Sequence, residues 1–283
     1  MSRPARLRID AAGPFDHAAA LATLSAHAVE GLHRLDLEAG TFTRWVEVGE
    51  GEDVRVTVRL DAGGAEVSTS SRREVVQERL VALTTHWFGL AADLEPVNAR
   101  LGADPLFAEQ VRERPGIRLV RFRPPFEAVV STVLGQQVSL AAGRLFAARL
   151  VAAFGTDPSA DGPRIFPRPS ALAAVPVEEL RAAIRLTGSR ARTVHEVAEL
   201  FAEQDGPAVL PGRSELAGVH GIGAWTLDHL ALRAGTDADA YPAGDAVLRR
   251  TLAALDPSAD AARIASWIPY RGYAATRLWA FGL

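Results

Sequence analysis

An aspartate, Asp245, heads an apolar-periodic run (Val247, Leu248, Leu252, Leu255) about twenty residues beyond a glycine hairpin, Gly218-Val219-His220-Gly221-Ile222-Gly223. Glycines at 221 and 223 let a backbone approach a partner closely. The segment from Ala224 to Arg233 repeats Trp225, Leu227, Leu230 and Ala231 at helical spacing, so its first turn offers unpaired N–H groups to an anion. A carboxylate at the start of the next helix is stabilised there by the helix dipole. An anion cradle beside a carboxylate points to chemistry on a phosphodiester-bearing substrate. Two plainer readings stand next to it: Gly-x-x-Gly-x-Gly also makes ordinary tight turns, and Asp is favoured at helix starts for capping alone. The hairpin is not a dinucleotide fingerprint, because Ser214-Glu215-Leu216-Ala217 before it is short and helix-like rather than a buried strand. Asp228, in mid-helix, and Asp239, in the following loop, are poorer candidates for a reacting carboxylate.

The hairpin, Trp225-Thr226 and Tyr241-Pro242-x-x-Asp245 together resemble the helix-hairpin-helix DNA glycosylases, of the DNA-3-methyladenine type. Phe126-Glu127-Ala128-Val129-Val130 through Leu134-Gly135-Gln136-Gln137-Val138-Ser139 is similar to that family's lesion-probing helix and loop. Ser189-Arg190-Ala191-Arg192 and Trp267-Ile268-Pro269-Tyr270-Arg271-Gly272-Tyr273-Ala274 resemble two further family segments, and the first hundred residues fit its first domain more loosely.

The resemblance implies cleavage of an N-glycosidic bond in double-stranded DNA after the base is rotated out of the stack. It implies a phosphate grip at Val219, His220, Gly221, Ile222 and Gly223, with Thr226 either donating to a phosphate or capping the helix, and His220 facing solvent. It implies a monovalent cation on the main-chain carbonyls of Ala217, Val219 and Ile222, and otherwise no cofactor. Gln137 falls where the family inserts a plug into the vacated stack; an interhelical loop residue is the plainer reading. The base pocket falls to Trp225 and Trp279, with His229 in place of a family tyrosine, and to Phe126, which is either core or lining. Electron-rich indole faces favour a cationic alkylated purine by about 1–2 kcal/mol when desolvated. Asp245 takes the bond-breaking role, stabilising the developing oxocarbenium and orienting water. Two other readings remain open, a glycosylase for deaminated or oxidised bases and a non-catalytic DNA-binding module; a pure phosphate grip needs neither Asp245 nor Trp225.

The rest of the chain must position these groups. Its 283 residues, 48% apolar, suffice for a sizeable core in one or two domains. Without cysteine there is no disulfide, thiolate zinc site or cysteine-ligated cluster. No apolar run reaches eighteen residues and the start of the chain lacks a hydrophobic signal segment, so a soluble, cytoplasmic monomer without membrane contact is expected. Net charge is −3: 13 Arg against 18 acids up to Arg114, and 18 Arg against 16 acids beyond it, which directs DNA contact to the second part. All 31 basic residues are Arg, so no side-chain amine can form a Schiff base.

The expected fold class is α+β. Residues 1–112 read as a TATA-binding-protein-like lobe of β-α-β-β-β-β-α order with a stabilising role, its strands near Arg6–Asp10, His33–Leu37, Thr41–Val48, Val54–Leu60 and Ala65–Thr69. Residues 113–283 read as an all-helical region with its active site in a cleft between helical subdomains, interrupted by one long loop, Gly155–Pro169.

Overall fold

The computed structural model describes residues 4–49, 51–122, 124–158, 162–204 and 209–281. It opens with β1 (Ala5–Asp10), α1 (His17–His27), β2 (Arg34–Asp36), β3 (Thr41–Glu47), β4 (Asp53–Asp61), β5 (Gly64–Thr69) and α2 (Glu74–Trp87). Helices follow: α3 (Glu95–Gly102), α4 (Ala108–Glu113), α5 (Pro125–Gly135), α6 (Leu140–Phe154), α7 (Pro169–Ala173), α8 (Val177–Ile184), α9 (Gly188–Ala202) and α10 (Arg213–Gly218). The last four are α11 (Ala224–Arg233), α12 (Ala246–Leu255), α13 (Ala261–Ser266) and α14 (Arg271–Phe281). The class is α+β, as the sequence indicates.

The sheet is antiparallel, in the order β1-β5-β4-β3-β2. Period-two patterning sets it: Val54, Val56, Val58 and Leu60 of β4 are buried, while Arg55 and Arg59 between them face solvent. Its inner face carries Phe42, Val58 and Val67 in one cross-strand row, covered by Ala20, Leu21 and Leu24 of α1 and by Val76 and Leu80 of α2.

A second core surrounds α5, whose Phe126, Val129, Val130, Val133 and Leu134 meet Leu150, Val194, Val197 and Leu230. A third joins α3 and α4 to the C-terminal helices, with Leu94, Val97, Leu101 and Phe107 packed among Leu248, Trp267 and Leu278. α3 therefore belongs by packing with the far end of the chain. The lobe and the helical region are also tied by a buried network in which Arg44 of β3 donates to Glu127 of α5, its Nη1 at 3.0 Å from Oε1, beside His33.

The long loop departs from its expectation at both ends: Thr156 and Ile165 form a β-bridge, and Pro at the first position of α7 starts a helix at Pro169. No helix among the described residues is long and apolar enough to cross a membrane.

Candidate active site

Asp245 is the N-cap of α12, and its Oδ1 accepts the backbone N–H groups of Val247 and Leu248, both at 2.9 Å. The same carboxylate takes two indole donors: Trp225 Nε1 to Oδ2 and Trp279 Nε1 to Oδ1, each at 3.2 Å. Oδ1 thus receives three N–H groups and Oδ2 one, so Oδ2 keeps an open lone pair. The residue is half-buried in the wall of a cavity of about 1190 Å³. Capping, which competed with the chemical reading of Asp245, is therefore the device that holds the carboxylate in place.

Trp225, His229 and Arg233 lie at i, i+4 and i+8 on α11 and form one wall. His229 stacks on Trp225 at 5.1 Å and 27° and meets Trp279 edge-on at 6.0 Å. The Arg233 guanidinium lies 4.4 Å over Trp279 and 5.4 Å over Phe122, and its Nη1 donates to the Val120 carbonyl at 2.8 Å. One face of each indole is therefore already occupied, by imidazole on Trp225 and by guanidinium on Trp279.

Burial pushes His229 down to about 3, with Arg233 adding to the shift. It does the same to His27, where the charges of Arg233, His229 and Arg144 contribute. Both imidazoles are neutral at physiological pH. Burial lowers Arg233 to about 10 against the raising effect of Asp245, so it stays charged.

Phe126 does not line this cavity. It is 4% exposed and packs on Phe166 at 5.8 Å and Phe201 at 5.2 Å in the core around α5. Its place is taken by Phe122, four residues earlier, just ahead of α5. Thr226 is likewise turned inward: it is 2% exposed and its Oγ1 accepts from Gln136 Nε2 at 2.9 Å, so it neither caps α11 nor faces a phosphate.

The hairpin divides its labour between side chains and backbone. Val219 and Ile222 are buried anchors. Gly221 has φ +80°, and a Cβ there would come 2.6 Å from Thr193 Oγ1; a Cβ on Gly223 would meet open space. His220 is exposed, pairs with Ser189 Oγ at 3.1 Å, and donates its backbone N–H to Glu196 at 2.8 Å. That N–H is thus already engaged. No side chain caps the first turn of α11, which leaves its N–H groups pointing outward with Gly223.

Gln137 is exposed at the cavity mouth in the left-handed region, φ 54°. Gln136 beside it ties this loop to the hairpin, with Nε2 3.0 Å from the Gly221 carbonyl, while Arg190 Nη2 donates to the Gln136 carbonyl at 2.6 Å. Asp228 pairs with Arg213 at 2.9 Å and Asp239 with Arg271 at 2.6 Å.

Sequence reasoning missed Phe122, Arg233 and His27. The four-residue spacing from Trp225 through His229 to Arg233 was a usable signal for Arg233. His27 belongs to α1, so the N-terminal lobe contributes to the cavity wall besides stabilising the fold.

Residues 6–126 match the model of the AlkA N-terminal domain, and residues 130–263 that of the HhH-GPD superfamily of base excision DNA repair proteins. A Mycobacterium tuberculosis protein named probable bifunctional transcriptional activator/DNA repair enzyme AlkA is 30% identical over 296 residues, covering 96% of this chain and 56% of that protein. The chain thus spans little more than half the length of that relative. DNA-3-methyladenine glycosylase 2 of Escherichia coli is 28% identical over 275 residues, covering 94% of each. The solved structure of a 3-methyladenine DNA-glycosylase from Archaeoglobus fulgidus shares the fold, with a TM-score of 0.79 at 19% identity over 98% of this chain and 97% of that one. With both domains present in that order, the chain belongs to the HhH-GPD superfamily of base excision DNA repair proteins, in the branch that carries an AlkA N-terminal domain.

Proposed function

We propose that this protein is a monofunctional DNA glycosylase that excises alkylated bases from double-stranded DNA. The observation that carries the proposal is the Asp245 carboxylate, clamped by two indole N–H groups in a cavity wall that begins at the hairpin helix. Outward N–H groups of Gly223 and the first turn of α11 grip a phosphate, Gln137 enters the vacated stack, and the damaged base enters between the indoles. The C1′–N bond breaks with its electron pair going to the base, which leaves neutral if it was cationic. Asp245 Oδ2 faces the positive charge developing at C1′ and receives or relays the proton of the water whose oxygen bonds there. The product is an abasic site. Incubating the protein with duplexes that each carry one lesion, and quantifying free base, tests the proposal; release of no alkylated base refutes it.

Arg233 favours a second reading. A buried guanidinium 4.4 Å from Trp279 repels a cationic base, so neutral deaminated or oxidised bases compete better here than indoles alone would allow. A higher kcat/KM for a neutral lesion than for 7-methylguanine would favour it.

Strand cleavage by the enzyme is not expected. Forming an imine at C1′ takes an amine, the sequence has no lysine, and Trp225 occupies the position two residues after the last hairpin glycine. Borohydride trapping of a covalent protein–DNA adduct that depends on Asp245 would overturn this.

The hairpin carbonyls suit a monovalent cation. They lie at the C-terminal, electronegative end of α10 and just beyond it, and among the described residues the Ala217 and Ile222 carbonyls accept no backbone N–H, while that of Val219 accepts from Ile222 at 3.2 Å. A cation held there would add positive charge beside the phosphate grip.

A further inference from the structure

The cavity that holds Asp245 is longer than one base. From the indoles its wall continues ring by ring: Trp279 to His229 at 6.0 Å, His229 to Phe122 at 6.2 Å, and Phe122 to His27 at 4.7 Å. His27 is the last residue of α1, and the cavity then runs along that helix and down to His33 and Glu127. Asp245 has to lie against C1′, so a flipped base fills the space between the indoles, His229 and Phe122. The α1 side lies beyond it. The whole cavity, about 1190 Å³ including its mouth, exceeds the roughly 300–1,000 Å³ of sites that enclose drug-sized ligands.

The chemistry of that far side is specific. α1 turns Ala19, Ala22, Thr23 and Ala26 toward the cavity, positions spaced three and four apart and hence on one helical face. Those four side chains are no longer than threonine, Leu24, His27 and Val29 complete the wall beside them, and the Thr23 hydroxyl donates to the Ala19 carbonyl at 3.0 Å. The polar groups at the deep end, His33, Arg44 and Glu127, are engaged with one another. Arg114, Arg118 and Arg144, which also line the cavity, donate to Asp16, the Gly89 carbonyl and the Ser25 carbonyl, so the α1 wall offers width and largely apolar contact. A methyl group is too small to reach it.

We propose that the α1 side of the cavity is a second subsite for an apolar, ring-sized substituent on the damaged base, so that the substrates include purines carrying an aralkyl group on a ring nitrogen. This rests on the glycosylase reading above and names the substrate class it extends to. The bond changes are those of the methylated purine: the C1′–N pair leaves with the base and cancels its positive charge, water oxygen bonds C1′, and its proton passes to Asp245 or solvent. The substituent remains on the released base.

Two duplexes, one with a single 7-methylguanine and one with a single 7-benzylguanine, test this, together with Ala22→Phe and Thr23→Phe, which fill the α1 face. Thermal melting and far-ultraviolet circular dichroism check that each variant is folded. The expected result is wild-type kcat/KM for the benzyl lesion within about tenfold of that for the methyl lesion, and at least a tenfold loss on the benzyl lesion alone in either folded variant. Wild-type excision of the methyl lesion with benzyl excision more than a hundredfold slower would overturn the subsite and leave the glycosylase reading standing. An equal loss on both lesions in both variants would also overturn it, since α1 would then bound the base itself. Release of neither base would refute the glycosylase reading for these lesions, and the subsite with it.

Discussion

The indole N–H of Trp225 donates to Asp245 Oδ2 at 3.2 Å across twenty residues of sequence, joining the helix that follows the hairpin to the cap of the next one. Trp225, the second residue of α11, thereby helps set the orientation of the Asp245 carboxylate. Asp245→Asn keeps an N-cap of equal quality, so the fold is expected to survive. Excision should fall by at least about 10²–10³-fold, with duplex affinity within a few-fold of wild type. Single-turnover base release alongside fluorescence-anisotropy binding checks this, and near-normal release by the Asn variant would remove Asp245 from the reaction.

Trp279→Phe keeps a ring over Arg233 but removes one of the four donors to Asp245. The loss of a hydrogen bond to a charged acceptor is worth about 1.5–3 kcal/mol, which predicts roughly a 10–150-fold lower kcat. Trp225→Phe should behave alike. A change confined to KM would show that the indoles only bind the base.

The two hairpin glycines are predicted to differ. Gly221→Ala forces a left-handed residue against Thr193 and should lower both stability and affinity for DNA of any sequence. Gly223→Ala should leave the melting temperature unchanged and weaken binding alone. If Gly223→Ala binds as the wild type does, the backbone at 223 makes no close approach to a phosphate.

His27 and His229 are held near 3 in the folded protein against an ordinary value of 6.5. Above about pH 6.5 both states are neutral there and their stabilising effect is complete. As pH falls from 6.5 toward 3 the unfolded chain binds protons that the native state refuses, so stability declines through that window. Melting temperatures between pH 7.5 and 4.5 should show a fall that is shallower in a His27→Asn, His229→Phe double variant. An identical slope would place the acid sensitivity elsewhere.

Glu127→Gln should destabilise the protein by about 3–5 kcal/mol, because it removes the charge from one partner of a buried ion pair with Arg44. Chemical denaturation measures it, and a loss below 1 kcal/mol would show that the contact between lobe and helical region does not depend on this pair.

Much of the site could be read from the chain alone because its determinants are local. Gly221 is required by its own backbone angle, Asp245 by the two amides that follow it, and α6 and α12 by apolar spacing that ends where their caps stand. Trp225, His229 and Arg233 share a face for the same local reason. What only tertiary structure decided is which buried faces look into the cavity. α5 is apolar on nearly all sides, so periodicity cannot say whether Phe126 points at a core or at a substrate; packing against Phe166 and Phe201 settled it. Thr226 is turned inward, where its Oγ1 accepts from Gln136, ninety residues earlier. His27 meets Phe122 through the docking of an N-terminal helix onto the helical region, and long-range packing of that kind leaves no periodic trace in either segment.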